Sequence, residues 1–384
     1  MTAASAIITP ALPEISHYFQ ISHEEINWIM AIFLVGYVIG QPLYGSLSNS
    51  IGRVKALRLG LGVNLIGLLV CIIWGEMSYW ILLLGRFIAA LGSASTFVCS
   101  IILINELLDV FKAKRALALN IVFLTVGGAA AVVSGGWVSE YWGWIYCFWV
   151  LFVFSVLLFI LTYFTSETLH NPLKLDVKNV IQGYTQAIKS KKLLIFGSMA
   201  SSATAVAFGY AVSSPIYTEE ILGLSPIGYS HWNLVAMGGS ILGSFCSVYL
   251  IKKWDIKKTF FIGIIALFPL FALINYLAFS HTNNLIGYFM TIMLIFFFQG
   301  IQSPAALFIA SNAIEDKANA AGIMSFVNLG ITTICVTILG YLPFSLFKSF
   351  TLVTSFFFVV SAILSVWYFL KHKNFEKEIS KHTL

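Results

Sequence analysis

Apolar stretches of about 20 residues follow one another along almost the whole chain, and they decide what this sequence can fold into. They run at roughly 27–48, 56–75, 79–105, 119–141, 143–165, 193–216, 231–252, 257–280, 285–311, 320–343 and 349–370. As a helix, each is long enough to cross the ~30 Å hydrocarbon core of a bilayer. A soluble domain carries roughly a quarter charged residues. Here 10% are charged and 59% are hydrophobic, more apolar surface than a soluble fold can keep from water. The expected fold is therefore an all-α, multi-pass membrane protein, with eleven full spans behind a short apolar opening, MTAASAIITPALPEISHYFQ.

Counting that opening as part of a first helix makes the basic residues fall on one side. Arg53, Lys55, Arg58, Lys112, Lys114, Arg115, Lys174, Lys178, Lys189, Lys191, Lys192, Lys252, Lys253, Lys257, Lys258, Lys317, Lys371, Lys373, Lys377 and Lys381 make 20 there, against Lys348 alone on the other, with Arg86 inside a span. The other side carries Glu14, Glu24, Glu25, Glu76, Glu140, Glu219 and Glu220. Short cytoplasmic loops are enriched in Lys and Arg, so the basic loops and the C-terminus are expected inside the cell. The net charge of +6 then reflects orientation in a lipid bilayer and not binding to nucleic acid. The opening has no basic n-region, and span parity requires a helix there, so it is not a cleaved signal peptide.

The polar, basic segment 165–192 divides the chain. The expected organisation is an N-terminal bundle over 1–164, a central loop over 165–192, a C-terminal six-helix bundle over 193–372 and a tail over 373–384. The halves echo each other: Gly92 to Ser95 leads to NELLDVFKAKR, and Gly300 to Pro304 leads to SNAIEDKANA. Internal repeats with a site between them are the usual architecture of secondary transporters. Cys71, Cys99, Cys147, Cys246 and Cys335 lie in apolar segments without CxxC spacing, and the seven histidines lack ligand spacing, so neither disulfides nor a metal site is expected. No phosphate-binding GxxxxGKS or GxxxxGKT loop appears, and no GxGxxG follows a strand; no cofactor, ATP site or enzymic activity is expected.

The most specific motif is GQPLYGSLSNSIGRVKALRLG, Gly40 to Gly60, at the basic end of one span and the start of the next. It resembles the GxLxDRxGRR signature of the major facilitator superfamily through Gly45, Leu47, Gly52 and Arg53. Asn49 replaces the signature Asp and Ser50 its Arg, which implies a weakened charge latch in this loop. Arg86 stands mid-span and is followed by Gly92, as in the family, where the equivalent Arg helps couple protons to substrate. On its residues alone, a buried Arg is either functional or a structural ion pair. PALPEI, GQPLYGSLS, SETL and FGYAVSSPIYTEEILGLSP are similar to the bicyclomycin-resistance (Bcr/CflA) branch of drug/proton antiporters. In that branch helix five carries GxxxGPxxGG; here Gly127, Ala131, Val132, Gly135 and Gly136 keep the glycines and lose the proline, and Ile145 replaces an Arg.

The resemblance implies two six-helix bundles around a midplane cavity, with the first helix shortened. In the branch about 15 to 20 further residues would complete that crossing, in line with the ~20 a span needs. The branch's first-helix Asp falls at Ala6, and Glu14 lies about 12 Å further outward at 1.5 Å per residue. Tyr37, Gln41, Thr125, Tyr210, Ser213, Ser214, Asn233, Gln299, Gln302 and Asn328 would line the cavity. Taken singly, each is equally a helix-packing hydrogen bond. Arg86 and Glu106 are the coupling candidates, Glu106 being alternatively a loop cap. The implied activity is proton-linked efflux of a small organic compound by a monomer in a bacterial inner membrane. A metabolite or siderophore transporter, or a membrane protein without transport activity, remains as an alternative, because no acid lies deep in any span.

Overall fold

The computed structural model describes residues 2–169, 185, 189–280, 283–311 and 320–371. Most of the central segment, the 312–319 loop with Lys317, and the tail with Lys373, Lys377 and Lys381 lie outside the described residues, as do Lys174 and Lys178. The described elements are helices: α1 (Thr2–Ala6), α2 (Leu12–Phe19), α3 (His23–Ile51), α4 (Arg53–Trp74), α5 (Tyr79–Leu107), α6 (Val110–Trp142), α7 (Ile145–Leu161), α8 (Lys191–Glu220), α9 (Pro226–Trp254), α10 (Ile256–Phe279), α11 (Leu285–Ser311), α12 (Ala320–Leu339) and α13 (Leu346–Lys371). Among the described residues nine of these are long and apolar enough to cross a membrane. The other two long helices are α6, 33 residues, and α12, whose apolar stretch is described over Ile323–Leu339. All eleven expected spans are thus helical.

Several helices run past the apolar segments that announce them, because polar caps extend them beyond the lipid. Ser22 and Glu25 form a reciprocal capping box that starts α3. The Asp109 side chain accepts from the Lys112 N–H at 3.0 Å, so α6 begins at Val110 instead of near 119. At Asp255 the chain turns into α10 with φ 103 and ψ 164, a region otherwise used here by glycines, and its side chain caps the new helix through the Lys257 and Lys258 N–H groups.

The opening is a packed helix broken in two. Pro10 and Pro13 each occupy the first turn of a new element, where a missing N–H is harmless, so a 3-10 turn (Thr9–Ala11) joins α1 to α2. Ile7, Ile8, Ala11, Leu12 and Ile15 are fully buried or nearly so. A Cβ at Gly135 of α6 would lie 2.0 Å from the Ile7 carbonyl oxygen; only glycine lets α6 seat this chain.

By compactness the chain forms two units, the first of Met1–Ile181, Ala211–Leu234 and Leu339–Tyr341, the second of Gln182–Tyr210, Val235–Ile338 and Leu342–Leu384. The two share a packing device. In the first, a Cβ on Gly36 or Gly40 of α3 would lie 2.7 or 2.6 Å from the Phe87 or Leu91 carbonyl of α5. In the second, Gly239 and Gly243 of α9 stand 2.1 and 2.0 Å, by the same measure, from the Met293 and Phe297 carbonyls of α11. Small residues here replace the hydrophobic drive that lipid removes.

Candidate functional site

Arg86 sits seven residues into α5 and is 1% exposed. Its Nη1 donates to the Ala4 carbonyl oxygen at 2.9 Å, and its guanidinium carbon lies 4.6 Å from the centre of the Phe33 ring. Nη2 approaches the Met30 sulfur at 4.0 Å, and Nε has no partner. No carboxylate among the described residues pairs with it. The opening segment therefore reaches Arg86 through backbone and not through an acid at position 6. Glu14 is engaged elsewhere, its Oε2 accepting from the Ser139 hydroxyl at 2.7 Å.

The polar set distributes over both units. In the first, Tyr37 is 0% and Gln41 2% exposed, and neither the Tyr37 hydroxyl nor either end of the Gln41 amide has a partner. They lie one turn apart on α3, and Tyr37 stacks on Phe33 with centroids 6.3 Å apart. Ser213, Ser214 and Asn233 are buried in the same unit, and Thr125 is half-buried on α6. In the second, Tyr210 packs edge-on against Phe296, Gln302 Nε2 donates to the Met199 carbonyl at 3.4 Å, Gln299 is buried with its amide nitrogen unpaired, and half-buried Asn328 has an unpaired carbonyl.

At the basic end the signature loop is latched by carboxylates that its own sequence lacks. Asn49 has no side-chain partner among the described residues. Arg53, however, meets Glu106 at the end of α5, with Nη2 2.9 Å from Oε1 and Nε 3.2 Å from both oxygens. Its Nη1 donates to the Ser48 carbonyl at 2.8 Å. The Arg53, Val54 and Lys55 N–H groups, the open end of α4, donate to Glu167 at 2.7, 3.2 and 3.3 Å. The Thr168 hydroxyl donates to Glu106 and closes the circuit. Gly52, at φ 116, is required twice: a Cβ there would also lie 2.4 Å from Glu167. The latch expected to be weakened is thus rebuilt from helix ends. Partial burial pushes the Glu167 carboxyl up, but the N–H donors of Arg53, Leu169, Lys55 and Thr168 outweigh it and hold it below its ordinary value.

Glu106 therefore belongs to this latch. Twenty residues of helix separate it from Arg86, about 30 Å at 1.5 Å per residue, and the two coupling candidates are not brought together. Gly45, two turns before Gly52, is inside α3 and not in the turn, and it has room to spare, since a Cβ added there would meet only Val98, at 4.0 Å. Glu167 and Thr168 were visible only as part of SETL; their helix-capping role needed the fold to show it. At the acidic end, Glu140 Oε2 accepts from the Ile227 N–H at 2.8 Å, capping α9, and Gly136 lets α6 approach Pro226 and Ser230.

Helices of this length, closed on small residues and holding a buried arginine and unpaired polar groups, define a multi-pass helical membrane protein. The chain belongs to the Major Facilitator Superfamily, whose family profile matches residues 1–334. Among curated relatives, it is 35% identical over 147 residues to the MFS-type efflux pump MMF1 of Mycosarcoma maydis, covering 38% of this chain and 23% of that one. It is 26% identical over 254 residues to a probable sphingolipid transporter, spinster homolog 3, of Arabidopsis thaliana, covering 63% and 48%. It is 21% identical over 249 residues to the bicyclomycin resistance protein homolog of Haemophilus influenzae, covering 64% and 62%. The chain thus spans less than half the length of the first two. A solved D-xylose–proton symporter superposes with a TM-score of 0.77 at 14% identity, over 94% of this chain and 93% of that one, and shows the shared fold. These proteins are named as pumps and transporters, not enzymes.

Proposed function

We propose that the protein is a secondary transporter that exports a small organic compound by alternating access in exchange for protons. The observation that carries this reading is the set of buried polar atoms without partners: Arg86 Nε, the Tyr37 hydroxyl, both ends of Gln41, Gln299 Nε2, Gln302 Oε1 and the Thr332 hydroxyl. Such groups are costly in an apolar interior, and a bound polar solute offsets that cost. The efflux pump and the bicyclomycin resistance homolog among the relatives support export of a drug-like compound. The sphingolipid transporter homolog favours a second reading, a lipid or metabolite cargo.

In this reading the bundles 1–164 and 193–372 flank the loop 165–192, a monomer suffices, and the basic loops and the tail 373–384 face the cytoplasm of a bacterial cell. An arginine stays protonated near neutral pH, so Arg86 steers charge while carboxylates release the protons. Among the described carboxylates of the acidic side, Glu14, which accepts from Ser139, and Glu219, whose buried Oε2 has no hydrogen-bond partner, are the groups for that role. Glu106 serves the conformational latch.

The test is export from energised vesicles of a panel of lipophilic cations, phenicols and amino-acid analogues, with and without a proton gradient. Wild type should move at least one compound, faster with the gradient, and Arg86→Ala should abolish it. Accumulation unaltered in Arg86→Ala would remove that residue's role; no gradient dependence would remove proton exchange.

A further inference from the structure

Along one face of α3, Met30, Phe33, Tyr37 and Gln41 recur at helical spacing. They form a strip about 16 Å long at 1.5 Å per residue. Arg86 caps one end of this strip, over Phe33 and beside Met30. The stacked Phe33 and Tyr37 rings form its middle. The Gln41 amide closes the other end, and both its donor and its acceptor are free.

Elsewhere in this unit, the buried amide of Asn64 finds a partner at each end. Asn64 Nδ2 donates to the Ala89 carbonyl at 2.8 Å, and its Oδ1 accepts from the Ser155 hydroxyl at 2.9 Å. The strip is different, since a hydroxyl 0% exposed and an amide 2% exposed are left unpaired among the described residues, on the strip whose other end holds a guanidinium that uses one ordinary acceptor. A guanidinium carries five N–H donors, so Arg86 keeps most of its hydrogen-bonding capacity and its whole positive charge.

The three groups specify a ligand. A full cation with open donors favours a carboxylate, which it can bind through two parallel hydrogen bonds, and repels a cationic solute. The ring pair takes a flat or apolar body. The phenol and the amide take a hydrogen-bonding group on that body or at its far end.

We propose that this strip is the seat of an organic anion, a carboxylate on an aromatic or apolar body, and that the solute supplies the counter-charge Arg86 lacks among the described residues. The inference rests on the transport reading and narrows its cargo. In this conformation the strip is covered, so the anion enters when the helices part.

The experiment uses the full chain in proteoliposomes and three labelled probes of one skeleton: a hydroxyaryl alkanoate, its primary amide and the corresponding amine. Counterflow is measured beside binding to the purified protein. The carboxylate should bind about 10-fold tighter than the amide, the worth of one or two charged hydrogen bonds, and the amine should not compete. Arg86→Gln should erase that preference, and Arg86→Lys should restore part of it.

Because Arg86→Gln removes a buried group and the variant can fail to fold, Tyr37→Phe and Gln41→Leu provide a second arm. Neither breaks a hydrogen bond among the described residues, so both should fold as wild type while weakening carboxylate binding by roughly 3- to 10-fold. Equal handling of all three probes, or unchanged carboxylate affinity in both strip variants, overturns the proposal and leaves the strip to solvent. If wild type moves lipophilic cations but binds no carboxylate, the anion assignment falls and transport stands. If it moves nothing in any panel, transport falls and the assignment with it.

Discussion

Glu167 shows how much one side chain holds at the basic end. Its carboxylate takes the three N–H groups that open α4, the job of a helix cap. Glu167→Ala should lower stability by about 0.5–2 kcal/mol, seen as an earlier unfolding transition in detergent. Its folded value lies below the ordinary 4.5, so the stabilisation is complete above that value and is lost as pH falls through the lowered one. Glu167→Gln should flatten this acid limb of stability against pH; an unchanged limb would show that other carboxylates set it. Glu106 answers to the same latch, with its partner Arg53 mostly buried and itself a third exposed. Glu106→Gln should cost about 1 kcal/mol at most and leave the pH dependence of transport where it was, whereas a shifted pH profile would return Glu106 to proton coupling.

At the scale of elements, two joints carry strain or close fit that can be measured. Asp255 holds φ 103 and ψ 164, a conformation that costs a non-glycine residue about 1–3 kcal/mol, while replacing a cap by glycine costs only a few tenths. Asp255→Gly should therefore raise the unfolding temperature, and a lowered one would mean that the cap outweighs the strain. Gly135 and Gly127 on α6 form a pair of opposites. A Cβ at Gly135 meets the Ile7 carbonyl at 2.0 Å, and one at Gly127 meets nothing within 4 Å. Gly135→Ala should push α1 off α6 and cost about 1–3 kcal/mol as overpacking, loosening the Ala4 carbonyl from Arg86. Gly127→Ala should be neutral or stabilising by up to about 1 kcal/mol, from helix propensity. Equal effects would deny that the opening helix is seated as described.

For the whole molecule, the spans were legible in the sequence because hydrocarbon imposes length and apolarity on every crossing. Helix ends were not, since caps such as Ser22, Asp109 and Asp255 extend helices beyond the lipid. The latch was half legible: the loop around Gly52 and Arg53 announced it, but its carboxylates come from Glu106 and Glu167, 53 and 114 residues away from Arg53, and no local pattern links them. The Arg86 niche was legible as a buried charge; its backbone acceptor at Ala4 depends on a proline-broken helix that sequence shows only as irregular.

Orientation is a property of the whole that we propose from the charge pattern, because helix packing alone does not give it. Lys or Arg near the cytoplasmic surface gains about 1 kcal/mol each from anionic lipid. The proposal that the basic loops face the cytoplasm rests on the bias of 20 against 1. Glu76, between α4 and α5, and Lys253, at the end of α9, are both exposed, and in the proposed orientation span parity puts them on opposite sides of the membrane. Four of the five native cysteines are buried, so the background for thiol labelling is low. With a membrane-impermeant maleimide on intact cells, Glu76→Cys should label at once and Lys253→Cys only after permeabilisation. The reverse pattern would invert the protein and turn export into uptake. Labelling of both from outside would break the parity of spans, and with it the place of the opening stretch as part of a first membrane helix.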